Sequence, residues 1–283
     1  MSESAGVTAV RCDVCGYEYP NPTQATAEPR TPCPKCGATG LQIDIVKSDS
    51  IAITDSLRIG IRDYITSQHL WTARREAWLC RKREDQLLND GNVDRRHRSH
   101  AIAAVLSAVA FLEAFINAIW QDAADVEPGE HTYYTDELPN VAMATMRELW
   151  KDERMLSLLS KFQEALVCAG HERMVAGAEP FQSADVLVDL RNELVHFKPR
   201  WHWTDEDDAK FVRGLKSKIT PQRENRQPIG HPWFPNKALG AGCADWACES
   251  SIAFARKWHQ SMGLTHDFDN TYLPSSPPVE IDD

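Results

Sequence analysis

The sequence predicts a mainly α-helical protein, in which a helical bundle follows a small module of β-strands and loops. Three observations lead to this prediction. Residues 1–46 are rich in Pro, Thr and Cys and show no helical periodicity. From about residue 48, apolar residues recur at spacings of three and four, as on the buried face of an amphipathic helix. Strand patterns are scarce after the first module, so we expect the rest of the chain to be all-α.

The composition is that of an ordinary globular protein with an acidic surface. The 283 residues are 42% hydrophobic and 25% charged, which suits one or two domains. The formal net charge of -10 makes the molecule as a whole repel polyanions, so any contact with nucleic acid needs a local basic patch. Two regions have a basic excess, which is either such a patch or a mixture of solvated charges. Residues 71–100 hold eight Lys and Arg against five acids, and residues 191–226 hold nine against six.

The first module carries two CxxC pairs, each followed by glycine. Cys12 and Cys15 lie in CDVCG, Cys33 and Cys36 lie in CPKCG, and 17 residues separate the pairs. This spacing is typical of a four-cysteine zinc site, and the module resembles a zinc ribbon. We expect one structural Zn²⁺ per chain, because four thiolates leave no open position for a substrate. Iron is the alternative, since CDVCGYEYP is similar to the first knuckle of rubredoxins.

The predicted helices follow in order along the chain. A charged amphipathic helix is expected over residues 65–88, and the turn NDGNVD ends it. The apolar segment at 101–120 is expected to be a buried helix rather than a membrane span, because Glu113 and Asn117 interrupt it. Further expected features are a loop at 126–139, one amphipathic helix over 140–169, a helix near Ser183 ended by Pro199, an irregular segment at 200–240 and a last helix at 242–262.

These elements give three regions. Residues 1–46 form the cysteine module, residues 47–270 form the all-α domain, and residues 271–283 form a disordered tail. The remaining four cysteines are predicted to be small buried apolar residues: Cys80, Cys168, Cys243 and Cys248.

The segment LVDLRNELVHFKP, residues 187–199, groups polar residues suited to chemistry. On a helix, Leu187, Leu190, Leu194 and Phe197 would share one core-facing stripe, and Arg191, Asn192 and His196 would lie at its edge or away from it. Histidine has an ordinary pKa near 6.5 and exchanges protons at neutral pH, while arginine offers a planar fork to a phosphate. Together they can promote attack of an RNA 2′-hydroxyl on its own phosphodiester. The alternative is an ordinary solvated or interface face.

Four segments together resemble the HEPN superfamily of all-α domains. They are FLEAFINAIW, the amphipathic helix that carries Lys161, LRNELVHFKP, and WFPNKALG with ADWACESSIAFARKW. The resemblance covers about residues 65–262, and RNxxxH is the ribonuclease signature of that superfamily.

The resemblance implies a helical bundle that forms a homodimer, with two RNxxxH motifs meeting at a shared cleft. It also implies metal-independent RNA cleavage in phage defence, toxin–antitoxin pairs or RNA processing, with an antitoxin or regulatory protein as a further partner. By position, Arg191 would stabilise the phosphorane, His196 would move the proton, and Asn192 would orient the scissile phosphate or the histidine. Independently of the resemblance, Glu113 and Asn117 lie one turn apart on the apolar helix and would either anchor Arg191 inside the bundle or satisfy local backbone or interface groups.

Two further expectations concern the setting of the protein. No basic and apolar leader precedes the first cysteine, and the cysteine usage suits a reducing compartment, so we expect a cytoplasmic protein without a membrane partner. The alternative to an enzyme is a non-catalytic HEPN module that binds nucleic acid or assembles with protein.

Overall fold

Contacts between residues divide the computed structural model into two units, Met1–Ile61 and Arg62–Asp283. The structure describes residues 6–12, 15–20, 32–36, 41–46, 62–86, 92–151, 156–199, 201, 209–227, 232–265 and 268. The predicted disordered tail at 271–283 lies outside the described residues.

The first unit contains a two-stranded antiparallel sheet of β1 (Gly6–Cys12) and β2 (Leu41–Val46). Cys12 ends β1 and pairs with Leu41, the first residue of β2. Beyond Cys12 the chain turns back beside β1, because the Tyr19 N–H donates to the Val10 carbonyl at 2.9 Å. This turn holds the first cysteine pair.

The second unit is helical, which confirms the predicted mainly α-helical fold. A single 3₁₀ turn, Pro221–Arg223, accompanies the helices in its described residues. The helices are α1 (Thr66–Asp85), α2 (Arg95–Asp125), α3 (Asn140–Trp150), α4 (Leu158–Cys168), α5 (Phe181–Val195), α6 (Lys210–Lys216), α7 (Trp233–Asn236) and α8 (Ala241–Met262).

Helix α2 is the centre of the bundle and contacts α1, α3, α4, α5 and α8. Asp94 begins it, because this side chain accepts a hydrogen bond from the His97 N–H at 2.9 Å. In the core, the Phe115 ring packs edge-on against Trp258 of α8, with centroids 5.7 Å apart. The Trp258 indole N–H donates to the Phe162 carbonyl of α4 at 2.8 Å, which ties α4 and α8 together.

Helix α2 is long and apolar enough to cross a membrane by length and composition, and no other helix of the described residues is. Half of its most apolar stretch is buried inside the bundle, and the core helix of a bundle has the same length and composition.

The prediction of a single amphipathic helix over residues 140–169 is wrong. The structure has two helices there, α3 and α4. Ser157 begins the second one, because its hydroxyl accepts a hydrogen bond from the Ser160 N–H at 3.3 Å. Met146 before the break and Phe162 after it are both fully buried, so the apolar pattern continues across the break and conceals it.

The segment predicted to be irregular, residues 200–240, holds α6, the 3₁₀ turn and α7 among its described residues. Asn225 organises this part. Its buried amide donates to the carbonyls of Asn236 at 2.9 Å and Leu239 at 3.1 Å. These elements have three to seven residues, which is too short to produce a periodic pattern.

Candidate functional site

The four cysteines of the two CxxC pairs lie in one cluster. The Cys12 and Cys36 sulfurs are 3.5 Å apart, and the Cys15 and Cys33 sulfurs are 3.7 Å apart. All four sulfurs lie within 4.8 Å of one another. These distances are far longer than the roughly 2.05 Å of a disulfide bond, and all four cysteines are free. The cluster is therefore able to bind a metal ion.

The local backbone positions the cysteines and favours their thiolate form. Gly16 follows the first pair with φ +69°, a left-handed conformation that glycine adopts readily, and its N–H donates to the Cys12 carbonyl at 2.9 Å. At the second pair, burial raises the pKa of Cys33. The Cys33 sulfur also accepts hydrogen bonds from the backbone N–H groups of Lys35 and Cys36 and from the neighbouring thiols. These hydrogen bonds outweigh the effect of burial and lower the pKa of Cys33 to about 6.

Arg191, Asn192 and His196 lie together at the C-terminal end of α5. The helix ends at Val195, so His196 is its C-cap, and the His196 N–H donates to the Asn192 carbonyl at 2.9 Å. Asn192 and His196 are exposed, whereas Arg191 is half-buried. One turn of helix therefore presents an exposed imidazole beside an exposed amide and a guanidinium.

The Arg191 side chain is held in part by Glu113 of α2. Its Nη2 lies 3.6 Å from the Glu113 carboxylate, which makes an ion pair between side chains that are 26% and 49% exposed. The Arg191 Nε is buried, and no acceptor among the described residues bonds to it. Only the 26% of the Arg191 side chain that is exposed can meet a ligand, and the buried Nε lies out of its reach.

Asn117 has a different partner from the one expected. Its side-chain oxygen accepts a hydrogen bond from Lys161 Nζ at 2.9 Å, and the same ammonium lies over the Trp150 ring, 4.9 Å from its centroid. Of the two residues expected to anchor Arg191, the structure brings Glu113 to it and gives Asn117 to Lys161.

The apolar surroundings of His196 also differ from the helical stripe expected from spacing. Leu187 and Leu190 are fully buried and Leu194 packs against the core, as expected. Phe197 is 46% exposed instead of buried, because the helix ends before it and its backbone no longer follows the helical period. Val195 is 54% exposed on the other side of His196. Two apolar side chains thus flank the imidazole in solvent.

No relative helps to interpret these geometries. No protein-family model, curated protein or solved structure matches this chain. Any functional conclusion therefore rests on the side chains themselves.

A second cluster of metal-ligating atoms, which no sequence pattern indicates, is formed by Cys80, Glu84 and His97. All three residues are buried, and their ligand atoms lie within 4.8 Å of one another. The His97 Nε2 lies 2.7 Å from Glu84 Oε2. The same oxygen accepts the Ala241 N–H at 2.8 Å, and the other oxygen accepts Arg226 Nε at 3.0 Å. No sequence signal joins these residues, because the fold brings them together from α1, α2, α8 and the segment after the 3₁₀ turn.

Hydrogen bonds to both oxygens of Glu84 join α1 to α2, to α8 and to the segment after the 3₁₀ turn. Burial alone would raise the pKa of Glu84, but the hydrogen bonds from His97, the Ala241 N–H and Arg226 lower it to about 2. Glu84 is therefore an ionised carboxylate at the N-terminus of α8, where the helix dipole favours negative charge.

The other single cysteines agree with their expected apolar role, with one exception. Cys80, Cys243 and Cys248 are buried, and burial raises the pKa of each thiol, that of Cys243 and Cys248 to about 12. Cys168 is only half-buried.

Proposed function

We propose that the protein is a metal-independent endoribonuclease of the HEPN type, which cleaves RNA at a site shared across a homodimer. The observation that supports it best is the grouping of Arg191, Asn192 and His196 at the exposed end of α5. The second support is the exposed part of the Arg191 side chain, 26% of its surface, since a planar guanidinium fork suits a phosphate.

The proposed reaction is an internal transfer of the phosphodiester. The 2′-oxygen forms a bond to phosphorus, and the bond from phosphorus to the 5′-oxygen breaks, which leaves a 2′,3′-cyclic phosphate and a 5′-hydroxyl. His196 of one chain accepts the proton of the 2′-hydroxyl, and His196 of the second chain gives a proton to the leaving oxygen. Arg191 stabilises the charge that develops on the phosphorane.

The surroundings of His196 support the dimer. The reaction needs one base and one acid, and each motif has one histidine. Val195 and Phe197 expose apolar area on both sides of it, and such area is stabilised when a second copy covers it.

We also propose that the four-cysteine cluster is a zinc ribbon that helps to capture RNA or a partner protein. Four sulfurs about 2.3 Å from Zn²⁺ form a tetrahedron with edges of about 3.8 Å. The Cys12–Cys36 and Cys15–Cys33 sulfur distances, 3.5 and 3.7 Å, are close to that value. The zinc would be structural, because four thiolates fill its coordination shell. The roles in defence, toxin–antitoxin pairs or RNA processing, and the cytoplasmic location, stay predictions.

The deciding experiment compares wild type with His196→Ala on an end-labelled mixed RNA pool, with EDTA present and the product ends analysed. We expect cyclic phosphates from the wild type and a rate about 10²- to 10⁴-fold lower from the variant. Arg191→Lys is expected to lose about 10²-fold, because an ammonium cannot reproduce the guanidinium fork.

His171→Ala is the control, because His171 is also an exposed histidine but lies outside the motif, and it should retain cleavage. The zinc content of each protein is measured before and after EDTA, so that loss of structural zinc is not mistaken for a catalytic metal. Equal cleavage by wild type and His196→Ala would refute the proposal. So would wild type that binds RNA and cuts none.

A second candidate function is a non-catalytic assembly module, which the exposed Val195 and Phe197 favour. In that case the end of α5 is an interface, and His196→Ala changes the oligomeric state or the stability but no chemistry. Light scattering of the same two proteins separates the candidates.

A further inference from the structure

A stripe of alternating tryptophan and basic residues runs along the outer side of α1. It consists of Trp71, Arg75, Trp78 and Lys82, which recur at spacings of four, three and four. At about 100° per residue these four positions fall within about 60° of one another, and their centre lies about 150° from that of the buried stripe of α1. The opposite side of the helix, with the buried Leu70 and Ala77, packs into the bundle.

Both tryptophans are partly exposed and accompanied by a cation. Each is partly exposed, and neither packs against the described hydrophobic core, whereas Trp120 and Trp258 are fully buried. Each has a cation over its ring. The Arg75 guanidinium carbon lies 5.9 Å from the Trp71 ring centroid, and Lys82 Nζ lies 5.4 Å from that of Trp78. Each ring therefore keeps part of its surface open to solvent beside a cation.

The charge around the stripe is positive on an acidic protein. Residues 71–82 hold four Lys and Arg against one acid, Glu76, and Asp245 of α8 pairs with one of them, Arg81, so the local excess is positive on a chain with a net charge of -10. The Glu76 side chain is 11% exposed and lies 2.6 Å from Arg75 Nη1 and 2.6 Å from His100 Nδ1, so it offsets part of the Arg75 charge. A local basic surface of this kind favours a polyanion.

We infer that this face of α1 binds single-stranded RNA, with bases stacked on Trp71 and Trp78 and phosphates near Arg75 and Lys82. The inference rests on the proposed function for the identity of the polyanion. Aromatic rings interleaved with cations are the chemistry that binds single strands without sequence preference. The two tryptophans are seven residues apart, a rise of about 10.5 Å. Bases of a single strand are joined by a flexible backbone, so two of them can reach two rings at this separation. A strand that follows α1 can therefore place a base on each ring.

Binding is tested with a fluorescein-labelled, 2′-O-methylated single-stranded RNA of about 20 mixed nucleotides, which spans more than one binding site of this kind. Its 2′-hydroxyls are blocked, so no cleavage by the proposed mechanism can occur, and the result is independent of catalysis. We expect the full-length Trp71→Ala/Trp78→Ala variant to bind at least about 10-fold more weakly than wild type. Trp71→Phe/Trp78→Phe should bind within about threefold of wild type, because phenylalanine still offers a ring face.

The charge contribution is tested by the salt dependence of the same binding. Arg75→Gln/Lys82→Gln is expected to reduce the slope of log K against log salt by about 1.4, because each phosphate neutralised on a single strand accounts for about 0.7 of that slope. Arg256→Gln/Lys257→Gln is the matched control. It removes two exposed cations from α8, outside the stripe, and should leave the slope unchanged.

Three outcomes would overturn the inference: unchanged affinity of the alanine variant, equal competition by a duplex of the same sequence, or a changed oligomeric state of the variant. The last would identify the stripe as an interface between copies. A protein that binds through the stripe but never cleaves RNA would sustain this inference and refute the proposed enzyme. A protein that cleaves RNA and whose binding ignores the stripe would do the reverse.

Discussion

At the scale of single residues, Glu113 and Asn117 have different partners in the structure, although the sequence gives both the same expected partner. Glu113 and Asn117 are one turn apart on α2, so spacing alone assigns both to Arg191. The structure distinguishes them, because Glu113 lies 3.6 Å from Arg191 while Asn117 accepts a hydrogen bond from Lys161. The partner of each side chain depends on its rotamer and on the helix that packs beside it, and the spacing of residues in the sequence specifies neither.

This difference gives opposite expectations for two substitutions. Glu113→Gln should slow RNA cleavage by about two- to fivefold, because a half-exposed ion pair contributes about 0.2–1 kcal/mol to holding Arg191. Asn117→Ala should leave cleavage unchanged and lower the free energy of unfolding by about 1 kcal/mol, because the hydrogen bond to Lys161 is removed. Cleavage rates and urea unfolding of both variants check this. A loss of cleavage in Asn117→Ala alone would contradict it.

Glu84 predicts a pH dependence of stability. Its pKa is about 2 in the folded chain against an ordinary value of 4.5, so ionised Glu84 stabilises the fold at pH values above 4.5. This stabilisation, about 3 kcal/mol, is lost as the pH falls from 4.5 towards 2. Glu84→Gln should therefore be much less stable than wild type at neutral pH and should approach wild type near pH 2.

Urea unfolding at a series of pH values measures this effect. Glu249→Gln is the matched control, because Glu249 also pairs with an arginine, Arg223 at 2.8 Å, but its side chain is 60% exposed. It should change stability by less than about 1 kcal/mol at any pH. If the free energies of unfolding of wild type and Glu84→Gln differ by the same amount from neutral pH down to pH 2, ionisation of Glu84 does not stabilise the fold.

At the scale of elements, periodicity predicts the long helices and misses the short ones. Helix α1 is expected over residues 65–88 and spans Thr66–Asp85, because its apolar and charged faces alternate along its whole length. The break between α3 and α4 escapes periodicity, since the apolar face continues on both sides of it. The N-cap Ser157 is a readable signal of that break. The helices within 200–240 depend on contacts such as those of Asn225, which arise only in the folded chain.

The start of α8 gives a prediction about close packing between elements. A Cβ added to Gly242 would lie 2.6 Å from the Cα of Arg223, and backbone cannot move aside as a side chain can. Gly242→Ala should therefore lower the free energy of unfolding by at least about 2 kcal/mol. Gly214 lies within α6, and a Cβ added there would meet its nearest neighbour atom, from the Val186 side chain, at 3.8 Å.

Gly214→Ala is thus the same substitution in a helix without the clash. It should raise the free energy of unfolding by up to about 1 kcal/mol, because alanine favours helix more than glycine does. Chemical denaturation of the two variants tests the difference in sign. Two changes of the same sign would mean that the segment before α8 adapts to the added methyl group.

At the scale of the whole molecule, chain composition could not show where positive charge collects. The basic excess of residues 71–100 is visible in the sequence, but its meaning depends on which side chains face outward. The fold buries Glu76 and Glu84 of α1 and leaves Trp71, Trp78 and their cations on the outer side. The apolar exposure at Phe197 is equally beyond the sequence, because it follows from the place where α5 ends.

The division into two units predicts that metal removal affects one part of the chain and spares the other. Binding of Zn²⁺ to four thiolates contributes about 10 kcal/mol or more, which a short two-stranded sheet cannot replace. All helices of the described residues lie within Arg62–Asp283. Full-length Cys15→Ser/Cys33→Ser should contain no zinc, against one per wild-type chain. Its Met1–Ile61 unit should become sensitive to protease, while its helical circular dichroism and melting stay unchanged. Loss of helix along with zinc would mean that the two units fold as one. A red wild-type protein that contains iron would show that the metal is iron and that the assignment of zinc is wrong.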